Sequence, residues 1–197
     1  MQTIFSTNAV HPRDRFDYWH STACKQLVDH AGVPDDRTAF EAEIRAAKFG
    51  NLELVQFSVS PIQVVHTSEH VKRTRPDELF LCYQSSGRAF VIQNAREVSL
   101  DPGNLMLIDP LLPYECRFSG KSKMLVIKAP RRELRARLGR NRELIGRRVT
   151  ADRFDDDLAI SLAARPTSIA GRTSSTTEEM VGKSCARPTR TGPCKDD

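Results

Sequence analysis

His66-Thr67-Ser68-Glu69-His70 has the spacing H-x-x-E-H, in which two histidines one helical turn apart can chelate zinc while the glutamate polarises a metal-bound water. That chemistry requires a helix. Here the motif follows the β-branched run Ile62-Gln63-Val64-Val65 and precedes the basic segment Val71-Lys72-Arg73-Thr74-Arg75-Pro76. On a strand, side chains four residues apart stand about 13 Å apart, too far to share one ion. The spacing therefore predicts a polar loop or strand edge. The five cysteines, Cys24, Cys82, Cys116, Cys185 and Cys194, are odd in number and include no C-x-x-C pair. They read as reduced thiols, three of them packed in apolar surroundings. No nucleophile, base and oxyanion donor can be assembled from spacing.

The elements that would position any site are mostly strands. From Phe80 to Arg132, short alternating apolar runs are interrupted by SSGR, QNAR, DPGN, DPLLP and SGKS, the pattern of an antiparallel barrel or sandwich. Upstream, Phe40, Ala42 and Ile44 alternate before a Gly50-Asn51 turn and a second run from Leu52. Leu79, Leu81 and Tyr83 fall on one face of a strand and Phe80, Cys82 and Gln84 on the other. Both faces are bulky, so either another layer packs there or one face lines a cavity. Phe16, Trp19, Ala23 and Leu27 recur at helical spacing after His11-Pro12-Arg13-Asp14, and Gly32-Val33-Pro34-Asp35 reads as the break after that helix. Pro130 is expected to end a strand over Met124–Ile127. Helices are expected over Arg131–Leu138 and Phe154–Ala164, the latter with acidic residues in its first turn, where the helix dipole favours them.

The expected fold class is therefore mainly β with flanking helices (α+β). Its organisation is a helical segment over 1–39 packed on a barrel over 40–130, linker helices over 131–164 and a tail over 165–197. In the tail, 16 of 33 residues are Pro, Gly, Ser or Thr, a composition that cannot bury enough surface to order itself. Of the 197 residues, 39% are hydrophobic and 28% charged, an ordinary soluble composition. The sequence shows neither a membrane-spanning run nor the apolar core of a signal peptide, so a cytoplasmic protein is expected. The net charge of +5 is concentrated in Lys121–Arg148, which holds eleven Lys or Arg. Such a stripe can attract phosphates, and a solvated helix face accounts for it equally well.

Asp101-Pro102-Gly103-Asn104 resembles the second motif of the cupin jelly rolls. Metal-bearing cupins hold their ion with an H-x-H pair and a later histidine, and this chain has no H-x-H and no histidine after His70. A cupin-type metal-dependent enzyme is thus the weaker alternative, and neither a metal nor a cofactor is expected.

Several segments taken together are similar to the ligand-binding domain of the AraC/XylS-type transcription regulators. These are Arg15-Phe16-Asp17-Tyr18-Trp19, the Arg73-Thr74 step, Gln93-Asn94-Ala95-Arg96, Leu100-Asp101-Pro102-Gly103-Asn104, Asp109 through Pro113-Tyr114, and Ala129-Pro130-Arg131-Arg132-Glu133-Leu134. Ala95 stands where the family pattern has glycine, which disfavours a positive φ there, and Asn104 stands where it has an acid. The resemblance implies a cupin-like barrel that binds a small-molecule effector and mediates dimerisation, as a homodimer or with a related regulator. It also implies a C-terminal DNA-binding region, and Arg165–Asp197 lacks the pattern for one. A chain cut short before that region, without specific DNA binding of its own, is the expectation. Candidate effector contacts are Arg73, Tyr83 and Gln93, with Trp19 closing one end of the barrel. Arg73 could equally pair with Asp77 or Glu78, and Tyr83 could only fill the core.

Overall fold

A computed structural model describes residues 1–74, 77–138 and 144–149. The helix expected over Phe154–Ala164 and the tail from Arg165 lie outside the described residues. Among the described residues, twelve strands form two antiparallel sheets. The larger is ordered β1 (Gln2–Ser6), β3 (Ala42–Phe49), β4 (Leu52–Val59), β11 (Ser122–Pro130), β6 (Glu78–Ser86), β9 (Leu105–Ile108) and β12 (Arg148–Val149). The smaller is ordered β2 (Ala31–Pro34), β5 (Ile62–His66), β10 (Tyr114–Phe118), β7 (Ala89–Gln93) and β8 (Arg96–Leu100). Among the same residues three α-helices accompany them: α1 (Arg15–Gln26), α2 (Ser68–Arg73) and α3 (Arg131–Leu138).

Alternation sets the inner faces. Ile44, Val55, Phe57, Phe80, Cys82, Met106, Met124 and Val126 from the larger sheet meet Val64, Val91, Cys116 and Phe118 from the smaller in one core. Phe16, Trp19 and Ala23 of α1 join that core as the helical spacing predicts. The two bulky faces of β6 have separate explanations. Phe80 and Cys82 face the core, while Leu79 packs outside with Leu107, Ala129 and Leu134 of α3. A helix therefore covers part of the outer face.

Three local expectations are corrected. Gly32-Val33-Pro34 is not a break but part of β2, which pairs with β5; Pro34 is tolerated because β2 is an edge strand. With β1 paired to β3, the segment 1–39 thus adds strands to both sheets as well as a helix. The strand before Pro130 extends over Ser122–Pro130, because β11 pairs along its length with both β4 and β6. At the β7–β8 corner, Gln93 pairs directly with Arg96, which leaves a two-residue loop. Such a loop needs left-handed conformations to match strand twist, and Asn94 and Ala95 both adopt φ 55°. Register overrides the residue preference at Ala95, at a cost of roughly 1–2 kcal/mol.

Candidate functional site

A cavity of about 60 Å³ lies within the core between the two sheets and α1. Its walls include inward pairs two residues apart on β4, β6, β10 and β11: Val55 and Phe57, Phe80 and Cys82, Cys116 and Phe118, Met124 and Val126. Trp19, Ala23, Leu27 and His30 line the end next to α1. Among the described residues no Asp, Glu, Lys or Arg contributes to the wall. Burial pushes the Cys82 thiol up to about 12 and raises that of Cys116 as well. The Tyr114 hydroxyl is raised first by burial and then by neighbouring thiols, although the residue as a whole keeps some exposed surface. These groups are neutral at physiological pH, so the cavity is apolar and uncharged.

Of the four candidate contacts, only Trp19 lines this cavity. Its ring is 3% exposed and is held by Phe16 and Phe40, with centroids 6.0 and 5.3 Å away. Tyr83 stands on the outer face of β6, beside Leu125 and Leu105, and is 36% exposed. Arg73 ends α2 on the surface, 3.9 Å from Asp29 rather than beside Asp77 or Glu78. Gln93 is buried, but its side chain acts on backbone: Nε2 donates to the Asp109 carbonyl at 2.9 Å, and Oε1 accepts from the Asp109 N–H at 3.0 Å. This reciprocal pair continues sheet-like bonding past the end of β7 and fixes the loop that carries Asp109.

Asp109 in turn receives Arg131. Nη1 donates to Oδ2 at 2.7 Å and Nη2 to Oδ1 at 2.5 Å, with both side chains about 9% exposed. The hydrogen bonds to the Asp109 carboxylate hold the guanidinium above its ordinary pKa. Two sequence segments that read separately, Asp109 through Tyr114 and Pro130-Arg131, are thus the two halves of one buried clamp between the β9 end and the start of α3. The Lys121–Arg148 stripe is partly spent in the same way, since Lys121 pairs with Glu41 and Lys128 with Glu53 and Glu78.

The H-x-x-E-H residues are not on one strand. His66 ends β5, Thr67 caps α2, and the rings of His66 and His70 stack with centroids 5.8 Å apart. The histidines are therefore adjacent, contrary to the separation a strand would impose, and His66 is wholly buried rather than at a polar edge. Three of their four nitrogens are engaged elsewhere. Those of His66 lie 2.6 Å from the Asp29 carbonyl and 3.0 Å from that of Pro110, and His70 Nδ1 accepts from the Thr67 N–H at 2.9 Å. The motif joins two loops and a helix cap.

A second cluster was not visible in the spacing. His20, Cys24 and His30 bring ligand-type atoms within 4.8 Å of one another. Yet His20 Nε2 lies 2.7 Å from the His30 carbonyl, and His30 Nδ1 lies 2.7 Å from the Val28 carbonyl. A carbonyl only accepts, so each of these nitrogens carries the proton and has no lone pair there for an ion. The cluster is a hydrogen-bonded brace behind the cavity wall.

Two sheets closed on an apolar cavity define the class, a cupin-like β-barrel domain. Within that class the chain belongs to the AraC-binding-like domain family, which matches residues 19–176. It is 26% identical over 144 residues to an uncharacterised protein encoded in the nit 5′ region of Bacillus sp. (strain OxB-1), covering 73% of this chain and 56% of that protein. It is 25% identical over 105 residues to the transcriptional activator NphR of Rhodococcus sp, covering 53% of this chain and 31% of that protein. Among solved structures, the AraC-like transcriptional activator CuxR superposes with a TM-score of 0.67 at 21% identity, covering 81% of this chain and 59% of that one. The chain thus spans between a third and three fifths of the length of these relatives.

Proposed function

We propose that this chain is the effector-sensing and dimerisation module of an AraC-type transcription regulator acting in the cytoplasm. Its effector is a small molecule that occupies the barrel cavity. The observation that carries this reading is the cavity itself: an apolar space whose wall draws on both sheets and on α1. A bound molecule would touch all three layers at once, so binding energy can be converted into a change in how α1 and the sheets pack. Family membership and the regulator relatives support the transcriptional role, and the dimer is what the family resemblance implies. Among the described residues no two α-helices are consecutive in the chain, so these residues supply no helix-turn-helix, and the module by itself is expected to lack sequence-specific DNA binding.

The chain has one tryptophan, Trp19, and it lines the cavity, so its fluorescence reports occupancy. A screen of small neutral compounds is expected to yield at least one that shifts Trp19 emission saturably and raises the melting temperature. The response should be abolished when Val126→Phe or Ala23→Leu fills the cavity. A screen in which no compound acts on the wild type, or in which filling the cavity changes nothing, contradicts the reading.

A further inference from the structure

Four buried side-chain polar atoms have no partner among the described residues: Trp19 Nε1, His30 Nε2, Gln84 Oε1 and Arg131 Nε. The first two belong to cavity-lining residues, which are 3% and 4% exposed. Their rings lie close, with centroids 6.2 Å apart and planes at 66°. Unpartnered buried polar atoms are few in native proteins, and each is costly. Two of them on residues that line one apolar cavity point to a bound group that completes the bonding.

The chemistry of that group follows from the protons. Indole Nε1 is only a donor. His30 Nδ1 donates to the Val28 carbonyl at 2.7 Å, so in the neutral ring Nε2 keeps its lone pair and is an acceptor. The group must therefore accept one hydrogen bond and donate another, as a hydroxyl does with a single atom. A carboxylate cannot donate, an ammonium cannot accept, and either would bring an unpaired charge into a wall that has none. Resting on the effector-sensing reading above, we propose that the cavity selects small neutral hydroxyl compounds that are apolar over the rest of their surface. Trp19 Nε1 donates to the hydroxyl oxygen and His30 Nε2 accepts its proton. The sequence-based candidates Arg73, Tyr83 and Gln93 take no part in this recognition.

The test uses the full chain with butan-1-ol, 1-chlorobutane and butanoate, which have similar chains and differ at the end group. In ¹⁵N-labelled protein the single indole N–H cross-peak belongs to Trp19. Butan-1-ol is expected to bind on the order of tenfold more tightly than 1-chlorobutane, the worth of the added hydrogen bonds, and to move the indole proton downfield. 1-Chlorobutane should leave that proton in place, and butanoate should not bind. In His30→Phe the alcohol and the chloride should bind within about twofold of each other, on the same scale. Because that variant could disturb the fold, the wild-type indole shift stands as an independent readout. Equal or tighter binding of 1-chlorobutane, or tightest binding of butanoate, overturns the hydroxyl assignment and leaves the cavity reading intact. The pair Trp19 and His30 then holds a water. Binding of none of the three also overturns the assignment, whereas the sensing reading falls only if the broader screen finds nothing.

Discussion

Replacing Arg131 by Met will cost the fold about 3–5 kcal/mol, because the Asp109 carboxylate is then left charged and buried with its main counterion gone. For a chain of this size, that lowers the melting temperature by on the order of 10 °C. The cause is the stranded charge rather than the lost attraction, so the double variant Asp109→Asn with Arg131→Met should be more stable than Arg131→Met alone. Thermal melts of the wild type and both variants decide the matter. A single variant that loses less than about 1 kcal/mol, as an exposed pair would, would show that the clamp is not closed in solution.

Raising the pH from 7 to 10 will destabilise the protein through two thiols. Burial lifts the thiols of Cys82 and Cys116 above the ordinary value of 9.0, in the case of Cys82 to about 12. Above pH 9 the unfolded chain releases both protons while the native barrel keeps them, so the unfolded state binds fewer protons. Stability is therefore undiminished below about pH 9 and falls as the pH rises toward the folded values. Each thiol removes about 1.4 kcal/mol at pH 10. Urea melts of Cys82→Ala with Cys116→Val should show a loss between pH 7 and 10 that is smaller by nearly 3 kcal/mol, the sum of the two effects. An identical pH slope in that variant and in the wild type would place the thiols in contact with water.

How far the sequence reaches depends on whether a feature is periodic or paired. Trp19 was legible because helical spacing puts it on the same face as Phe16 and Ala23, and the β3–β4 hairpin because Gly50-Asn51 sits between two alternating runs. The inward face of β6 was not, since both its faces are bulky and only the packing of Leu134 against Leu79 shows which is outside. Arg73 and Tyr83 were attractive because of what their side chains can do, but neither spacing nor composition says that they point away from the barrel. The clamp joins residues 22 positions apart, and no local pattern announces such a partnership. His30 was missed for the same reason. It sits between α1 and β2 with no periodic neighbours, and its role comes from one hydrogen bond to Val28 that leaves its other nitrogen buried without a partner among the described residues. A signal was available in the paired inward positions 55 and 57, 80 and 82, 116 and 118, 124 and 126. Read together, these pairs describe a wall with no charge on it.

An effector bound inside the barrel leaves a distinct pattern of chemical-shift changes when the strongest compound from the screen is titrated in. The changes are expected to centre on the Trp19 indole and on the methyl groups of Ile44, Val64, Met124 and Val126, and to saturate together with the fluorescence response. Changes centred on Arg73 and Tyr83 on the exterior, with the cavity methyls unmoved, would contradict binding inside the barrel.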